Sequence, residues 1–179
     1  MSTGFTTIGH STRDLAEFAG MLRDAQVNVV ADVRSFPKSR SNPAYNTDTL
    51  PDDLRKWQID YRHFPDLGGR RKVQPQVDDA VNAMWRVRSF QNYADYALGR
   101  EFAAAFDELL TLGKRRKVAI MCAEAVWWRC HRRIITDYLL AREHPVDHLM
   151  APGRTEPAKM TQGARIRDDR NVVYPAEDE

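Results

Sequence analysis

The sequence predicts an α/β protein with an open, mostly parallel sheet of about five strands and helices on both faces, a Rossmann-like arrangement. Short runs rich in β-branched residues alternate with longer segments of helical periodicity, which is the pattern of repeated strand–helix–strand units. The 179 residues, 42% of them hydrophobic, are enough for one domain with its own core. The predicted strands, in chain order, are FTTIGH, VNVVADVR, IDYRHF, KVAIMCAE and PVDHLM.

The first helix follows the first strand directly. Ser11 or Thr12 can cap its amino end, and Asp14 falls in its first turn. The apolar residues of this segment recur at the spacing of a buried helical stripe: Leu15, Phe18, Ala19 and Leu22. We therefore assign this face of the helix to the core.

Two further helical segments lie in the second half of the chain. Apolar and aromatic residues from Phe90 to Leu112 indicate a helix that ends at Gly113, and we assign its aromatic side chains to packing. The last helix is predicted from about Trp127 to Arg142, and His144-Pro145 marks its stop.

Two long stretches lack helical or strand periodicity. Residues 35–47 and residues 65 to about 89 are rich in Pro, Gly, Asn and charged side chains, and loops of such length in a compact domain are often functional. After Met150 the chain turns polar. We expect a single α/β domain over residues 1–150 and a C-terminal extension, residues 151–179, that wraps the surface or is partly flexible.

The composition predicts a soluble, cytoplasmic protein with no membrane partner. No apolar run approaches the roughly 20 residues of a membrane span, and the amino terminus lacks a secretory pattern. The two cysteines, Cys122 and Cys130, are too few for a disulfide scaffold and are expected to be reduced. The last twelve residues hold five acidic side chains, so the rest of the chain is more basic than the net charge of +2 suggests.

The basic residues gather in short clusters that suit phosphate-bearing ligands. These clusters are Lys38 with Arg40, residues 70–72, residues 114–117, and Arg129 with Arg132 and Arg133. The cluster at residues 114–117 is interpreted as solvated surface charge. The remaining clusters lie near the predicted ligand edge of the sheet.

Polar side chains collect where the predicted strands end. In an open parallel sheet, ligands bind outside the carboxyl ends of the strands, where loops lead into helix amino termini. We therefore expect residues distant in sequence to meet in one cleft. The strand-end candidates are His10, Ser11, Asp32, Arg34, Tyr61, His63, Cys122 and Glu124, followed by Cys130, His131 and Arg132 at the start of the next helix.

Three of these side chains are candidates for catalysis. Cys130, flanked by basic residues near a helix amino terminus, is in a setting that lowers a thiol pKa and makes a nucleophile available, although a buried packing role is the alternative. Glu124 can act as general acid or base, or pair with an arginine. His10 is a third acid or base candidate.

The two cysteines also raise the question of a metal. Cys122, Cys130, His131 and His10 are ligand types that suit zinc or iron. The gap between the cysteines is not a familiar zinc-ligand spacing, so we predict no metal site. No cofactor and no oligomeric state can be inferred from the sequence.

An anionic ligand is the inference that the residue types support best. Guanidinium groups and hydroxyls beside a helix amino terminus are typical of phosphate or carboxylate binding. Trp127 and Trp128 could stack on a base or simply pack at the helix start. The predicted substrate-binding residues are Ser11, Asp32, Arg34, Ser39, Arg40, Asn42, Tyr61, His131 and Arg132.

Several segments together resemble one family, domain of unknown function 488. They are IGHSTR, VVADVRSFPKSRSNPAYN, DLGGRR, FQNYADYA and CAEAVWWRCHRR, and the spaced pair CAE and CHR is the most specific of them. The similarity runs from Thr6 to the VDHLM strand and reaches the YP near the end. Where many members have an acidic, proline-containing insert, this chain has AVWWR, which suggests a subfamily with its own ligand preference.

The resemblance implies the fold and the location of the site, and it supplies no activity. The positions that match the family's motifs are His10, Ser11, Asp32, Arg34, Ser39, Arg40, Asn42, Pro43, Cys122, Glu124, Cys130, His131 and Arg132. The role of each residue in this chain is left open by the match.

Three functional hypotheses follow from the residues. The first is an enzyme, a hydrolase or group transferase, that acts on a phosphate-bearing substrate such as a nucleotide or nucleic acid in the cleft. The second is a non-catalytic nucleotide or nucleic-acid binding module, and the third is a metal or redox site at the cysteines. A dehydrogenase or an NTPase is disfavoured because the sequence has neither a GxGxxG fingerprint nor a Walker loop.

Overall fold

The computed structural model describes residues 2–177, and within them the chain forms a six-stranded sheet flanked by five α-helices. The strand order is β3-β2-β4-β1-β5-β6. The strands of this sheet are β1 (Gly4–Gly9), β2 (Val29–Asp32), β3 (Asp60–His63), β4 (Lys117–Cys122), β5 (Val146–Ala151) and β6 (Arg154–Pro157). A short hairpin of β7 (Arg165–Ile166) and β8 (Val172–Val173) lies outside it.

The helices occupy the connections between the strands. They are α1 (Leu15–Asp24), α2 (Leu50–Arg55), α3 (Arg88–Tyr96), α4 (Arg100–Arg115) and α5 (Arg132–Ala141). Three short 3-10 helices lie at Pro43–Tyr45, Pro65–Leu67 and Trp127–Arg129. No helix among residues 2–177 has the length and apolar character needed to cross a membrane.

The predicted α/β class and parallel sheet are confirmed. Strands β1 to β5 pair in parallel, at the positions of the five predicted runs. The sequence did not predict β6, which pairs antiparallel with β5. Gly153, with φ +73°, makes the tight turn between these strands, and β6 is polar and exposed, so it lacks an apolar strand pattern.

The sheet separates two hydrophobic clusters, one on each face. Alternate residues of β4 illustrate the division, because Val118 and Ile120 pack with α3, α4 and α5 whereas Ala119 and Met121 pack with α1 and α2. The helices therefore cover both faces, as predicted. This division matters for the site because α1 and α5 start on opposite sides of the sheet.

The helix boundaries differ from the predicted ones for local reasons. The amino-terminal cap of α1 is Asp14, whose carboxylate accepts the Ala16 N–H at 2.8 Å, and not Ser11 or Thr12. The segment predicted as one helix is broken between α3 and α4 at residues 97–99, where Gly99 precedes the first residue of α4.

Gly113 does not end its helix, contrary to the prediction. It lies inside α4, which runs on to Arg115, and a Cβ at this position would collide with the ring of Phe5. The glycine is therefore used for close packing of α4 on β1. Similarly, the last helix starts at Arg132 and not at Trp127, because residues 127–129 form a separate 3-10 turn that ends in extended backbone at Cys130.

The chain after β6 is anchored to the body of the protein at Tyr174. This side chain is fully buried, its hydroxyl donates to Asp137 at 2.8 Å, and its backbone N–H donates to Asn82 at 2.8 Å. We propose the division into a domain of residues 1–150 and an extension of residues 151–179 as one of position along the chain, because β6 completes the main sheet and Tyr174 belongs to the core. The last two residues of that extension, 178–179, lie outside the described part of the chain.

Candidate functional site

The carboxyl ends of β1 and β4 stay together beyond the sheet. The His10 N–H donates to the Cys122 carbonyl at 2.9 Å, and the Ser11 N–H donates to the Ala123 carbonyl at 3.0 Å. Gly9 makes this possible, because a Cβ there would collide with the backbone carbonyl of Glu124. The loop after β4 is therefore held directly against the end of β1.

A cleft opens at this edge because neighbouring connections leave on opposite faces. β2 leads through its loop to α2 on one face, and β4 leads to α5 on the other. Between these loops lies a cavity of about 500 Å³. Its walls are formed by Arg34, Ser35, Phe36, Gly69, Arg70, Ser89, Phe90, Cys122, Ala123, Glu124, Arg129, Cys130 and His131.

Asp32 and Arg34 form a bidentate ion pair at the cavity wall, in which Arg34 lines the cavity and Asp32 lies behind it. Both carboxylate oxygens accept from the guanidinium, at 2.9 and 2.7 Å, and the Tyr61 hydroxyl donates to the same carboxylate. The Tyr45 carbonyl accepts a further bond from Arg34 at 2.7 Å. Burial and the Asp32 charge raise the pKa of Tyr61, so its hydroxyl stays protonated as a donor.

His10 is buried behind this ion pair. Its ring stacks on Tyr45 with 4.3 Å between centroids, and its Nδ1 donates to the Ser11 carbonyl at 2.8 Å. Its Nε2 is therefore an acceptor that faces Arg34 Nη1 at 3.4 Å. Burial lowers the pKa of His10, helped by the Arg34 charge, so the ring is held neutral. His10 does not line the cavity.

Cys130 lies on the cavity wall just before α5. Its sulfur accepts the Arg132 N–H at 3.5 Å and faces Nδ1 of His131 at 3.4 Å, whereas the Cys122 thiol donates to the Glu124 carbonyl at 3.5 Å. Burial opposes the thiolate, but the nearby Cys122 side chain and the charge and backbone N–H of Arg132 outweigh it and lower the pKa of Cys130. Burial raises the pKa of Cys122 well above its ordinary value. The pKa values of the two thiols are therefore shifted in opposite directions.

His131 is oriented as a hydrogen-bond acceptor toward that sulfur. Because the Val33 carbonyl can only accept, the neutral ring carries its proton on Nε2, which donates to that carbonyl at 2.7 Å and leaves Nδ1 as an acceptor on the side of Cys130. Burial lowers the pKa of His131, so the neutral form is favoured. Gly69 packs against this ring so closely that a Cβ there would collide with the imidazole.

Arg132 has a structural position. It is almost fully buried, and its guanidinium donates to Thr7 at 3.1 Å and to the carbonyls of Glu124 and Ala125 at 3.0 and 3.1 Å. It does not line the cavity. The Arg132 guanidinium therefore holds the loop after β4 in place, and the Arg132 backbone N–H donates to the Cys130 sulfur.

The charged side chains at the cavity mouth are solvent-exposed. Glu124 and Arg129 extend from the loop after β4, and Arg70 lies over the exposed ring of Phe36 with 5.2 Å to its centroid. Ser35 positions that region, because its hydroxyl accepts the Arg70 N–H at 2.9 Å. These groups are free to meet a ligand.

The structure brings only part of the predicted site to the cavity. Arg34, Glu124, Cys130 and His131 line it, whereas Asp32, Tyr61, His10 and Arg132 lie behind the wall. Ser11 lies at the end of β1, where φ is +49°. Ser39, Arg40 and Asn42 belong to the loop before the 3-10 helix at Pro43–Tyr45 and do not line the cavity.

No group of three or more His, Cys, Asp or Glu side chains among residues 2–177 is arranged to hold a metal ion. Cys122 and Cys130 both line the cavity, and the nitrogen nearest to the Cys130 sulfur is Nδ1 of His131 at 3.4 Å.

Several cavity residues were absent from the predicted site. Ser35 and Phe36 follow β2, and Phe90 was assigned to packing. Arg70 belonged to a predicted basic cluster but was not assigned to the site. The double glycine before Arg70 was the available signal of close backbone approach. It allows close approach to Ser35 and His131, which places Arg70 at the cavity mouth.

The comparison with known families agrees with the resemblance. The family described as "Domain of unknown function DUF488" matches residues 14–139, well over half of the chain. The chain belongs to this family. No curated protein and no solved structure matches the chain. Within the DUF488 match lie the cavity residues from Arg34 to His131, whereas His10 and Ser11 precede it.

Proposed function

We propose that this DUF488 protein is an enzyme, a hydrolase or group transferase, that acts on a phosphate-bearing substrate such as a nucleotide or nucleic acid. The observation that carries the proposal is the position of the Cys130 sulfur. It lies on the wall of the cavity, faces an unprotonated imidazole nitrogen at 3.4 Å and accepts the first N–H of α5. A thiol beside a base at a helix start is the arrangement of an activated nucleophile.

In the proposed reaction His131 takes the proton of the Cys130 thiol. The thiolate attacks the electrophilic centre of the substrate, and the bond from that centre to the leaving group breaks. The proton taken up by His131 passes to the leaving group. Glu124, exposed at the cavity mouth, then accepts a proton from the incoming water or alcohol as that group displaces the Cys130 sulfur, and this proton returns to the thiolate. Water makes the enzyme a hydrolase, and an alcohol makes it a transferase.

The anion-binding role is assigned to Arg129 and Arg70. Both are exposed at the cavity and face a single lining acid, Glu124. Arg34 and Arg132, the arginines that the sequence favoured, already hold Asp32 and backbone carbonyls. In this proposal Arg34 contributes positive potential to the wall, and Arg132 acts by positioning Cys130.

The first test is a thermal-shift screen against nucleotides, short oligonucleotides and phosphosugars. A ligand that binds only the folded chain raises its melting temperature. Arg129→Ala should abolish the shift, whereas Lys114→Ala, an exposed cation at the end of α4, should leave it intact. No shift with any phosphate compound would contradict the proposal.

Turnover of the ligands found in this way then tests the chemistry. Cys130→Ser should lower the rate by about 10³-fold or more, because a serine hydroxyl at that position is not ionised. Lys114→Ala should retain the wild-type rate. Equal rates for wild type and Cys130→Ser would remove Cys130 from the mechanism.

A second candidate is a non-catalytic binding module. The observation that favours it is Phe36, whose ring is 66% exposed beside Arg70, an arrangement typical of base stacking. For a module, binding should survive both Glu124→Gln and Cys130→Ser and weaken steeply with salt. The turnover assay separates the two functions.

A further inference from the structure

We propose that the ligand of this cavity is a single-stranded nucleic acid, which lies along a groove longer than a mononucleotide needs. This inference rests on the proposed function and narrows its substrate class. The basic groove is defined here as the cavity together with two adjoining depressions.

The three depressions adjoin one another, because they share lining residues. One, of about 420 Å³, shares Phe90 and Arg129 with the cavity and is also lined by Trp128 and Arg133. The other, of about 290 Å³, shares Arg70 with the cavity and is also lined by Arg71 and Lys72. Two further recesses therefore flank the catalytic cavity.

The groove carries an excess of positive charge. Its cations are Arg70, Arg71, Lys72, Arg86, Arg129 and Arg133, and its acids are Glu101 and Glu124. Two of these cations also bond within the chain, because Arg71 donates to the carbonyls of Gly68 and Pro65 and Arg133 donates to Thr161. Within residues 2–177 none of the six cations forms a salt bridge. A row of cations without acidic partners matches the charge of a phosphodiester backbone.

Exposed aromatic side chains accompany this charge. Phe36 in the cavity is 66% exposed, and Trp128 in the adjoining depression is 43% exposed. The rings of Trp128 and Trp127 are perpendicular, with 5.6 Å between their centroids, and Trp127 stacks on His148, so Trp128 is the more exposed of the two. Large apolar rings left open to water beside cations are the stacking surfaces of single-strand binding proteins.

The aromatic faces argue against a duplex. The bases of a double helix are stacked on one another and present only their edges, whereas unpaired bases can stack on a ring. The segment that supplies Trp128 is AVWWR, which lies in the loop after β4. The groove therefore has stacking surfaces in the catalytic cavity and beyond it.

The test is fluorescence anisotropy of the full chain with labelled single strands of about 12 nucleotides, within the site sizes of such proteins. An oligothymidine DNA and an oligouridine RNA form separate arms, and the matching mononucleotide and duplex serve as competitors. Either single strand binding tighter than the mononucleotide supports the proposal, and the preferred arm identifies the sugar.

Variants locate the contact. Trp128→Ala should weaken oligonucleotide binding about tenfold, and Trp128→Phe should restore most of it, because stacking needs a ring. Arg86→Ala should reduce the salt dependence, with the slope of log K against log salt falling by about 0.7 for one lost phosphate contact. Lys114→Ala should change neither.

The proposal is overturned if the oligonucleotide binds no tighter than the mononucleotide, if the duplex competes equally well, or if Trp128→Ala has no effect. In those cases a mononucleotide shift that depends on Arg129 would still support the proposed function. If no phosphate compound raises the melting temperature, the proposed function fails as well, so the two failures are distinguishable. Circular dichroism of each variant confirms that the chain remains folded.

Discussion

Asp32 and Arg34 form a buried ion pair in which each carboxylate oxygen accepts from the guanidinium. Asp32 is fully buried and Arg34 is 8% exposed, so loss of one partner leaves the other charge without compensation. We expect Asp32→Ala to lower the free energy of unfolding by about 3–5 kcal/mol, measured by urea denaturation.

The control for this prediction is an exposed pair. Arg62 and Glu108 meet at 2.8 Å on the surface, and Glu108→Ala should change the free energy of unfolding by less than about 1 kcal/mol. Equal losses for Asp32→Ala and Glu108→Ala would mean that the buried pair stabilises the folded protein no more than the exposed pair does.

Gly9 and Gly20 should respond in opposite directions to the same substitution. A Cβ on Gly9 would collide with the Glu124 backbone, so Gly9→Ala should destabilise the protein by about 1–3 kcal/mol and displace the loop after β4. Gly20 lies inside α1 with open space around it, and Gly20→Ala should stabilise by about 0.5–1 kcal/mol. Urea denaturation of both variants measures the contrast, and a neutral Gly9→Ala would contradict the close approach.

The two thiols should react at different pH. The nearby Cys122 side chain and the charge and backbone N–H of Arg132 lower the pKa of Cys130 despite its burial, so alkylation of Cys130 should reach half its maximal rate below pH 9.0, the ordinary value for a thiol. Cys122 should stay unreactive over that range because burial raises its pKa. Iodoacetamide labelling followed by peptide mass spectrometry identifies the site.

Cys130→Ser is the control for the labelling experiment, and it should remove the reaction with the lower midpoint. A midpoint above pH 9.0 in the wild type, or preferential labelling of Cys122, would contradict the assigned roles of the two sulfurs.

Stability should fall in mild acid because His148 is held neutral. Burial, with the Arg132 charge, lowers the pKa of His148 from 6.5 to about 4, and its Nδ1 accepts the Thr7 hydroxyl at 2.6 Å. The unfolded chain binds the proton more readily, so the contribution is complete above pH 6.5 and is lost as pH falls to about 4. The loss amounts to roughly 3 kcal/mol at most.

The variant His148→Gln should show a shallower decline in the free energy of unfolding between pH 6.5 and 4 than the wild type. His10 and His131, whose pKa values burial also lowers, act in the same direction and account for the remainder. His144→Gln, just before β5, should keep the wild-type slope. An unchanged slope in His148→Gln would refute this explanation.

The parallel sheet could be predicted from sequence because its strands are buried and apolar. Val118 to Cys122 read as one apolar run, and the strand-end position of Asp32 and Cys122 follows from that run ending. The polar edge strand β6 has no such pattern. Its pairing follows from the hairpin turn at Gly153, which only the three-dimensional arrangement reveals as part of the sheet.

The sequence predicted the site from the types of its residues, and a residue's type does not say whether its side chain is buried or exposed. Arg34 and Arg132 have the chemistry of anion-binding residues, but buried carboxylate and carbonyl acceptors within the chain already occupy them. Arg70 and Arg129 look the same in sequence and remain exposed because of where two loops lie. Which arginine stays exposed at the cavity depends on the close packing at Gly9 and Gly69, of which the sequence gives only the double glycine before Arg70 as a signal.

The most direct test of the central claim is a ¹H–¹⁵N correlation spectrum of the protein titrated with the phosphate ligand found in the thermal-shift screen. The backbone signals of Ser35, Arg70 and Arg129 should shift together in a saturable manner, and the signal of Lys114 should stay in place. Saturable shifts confined to other surfaces, with the signals of the cavity residues unmoved, would contradict the claim that this cavity is the functional site.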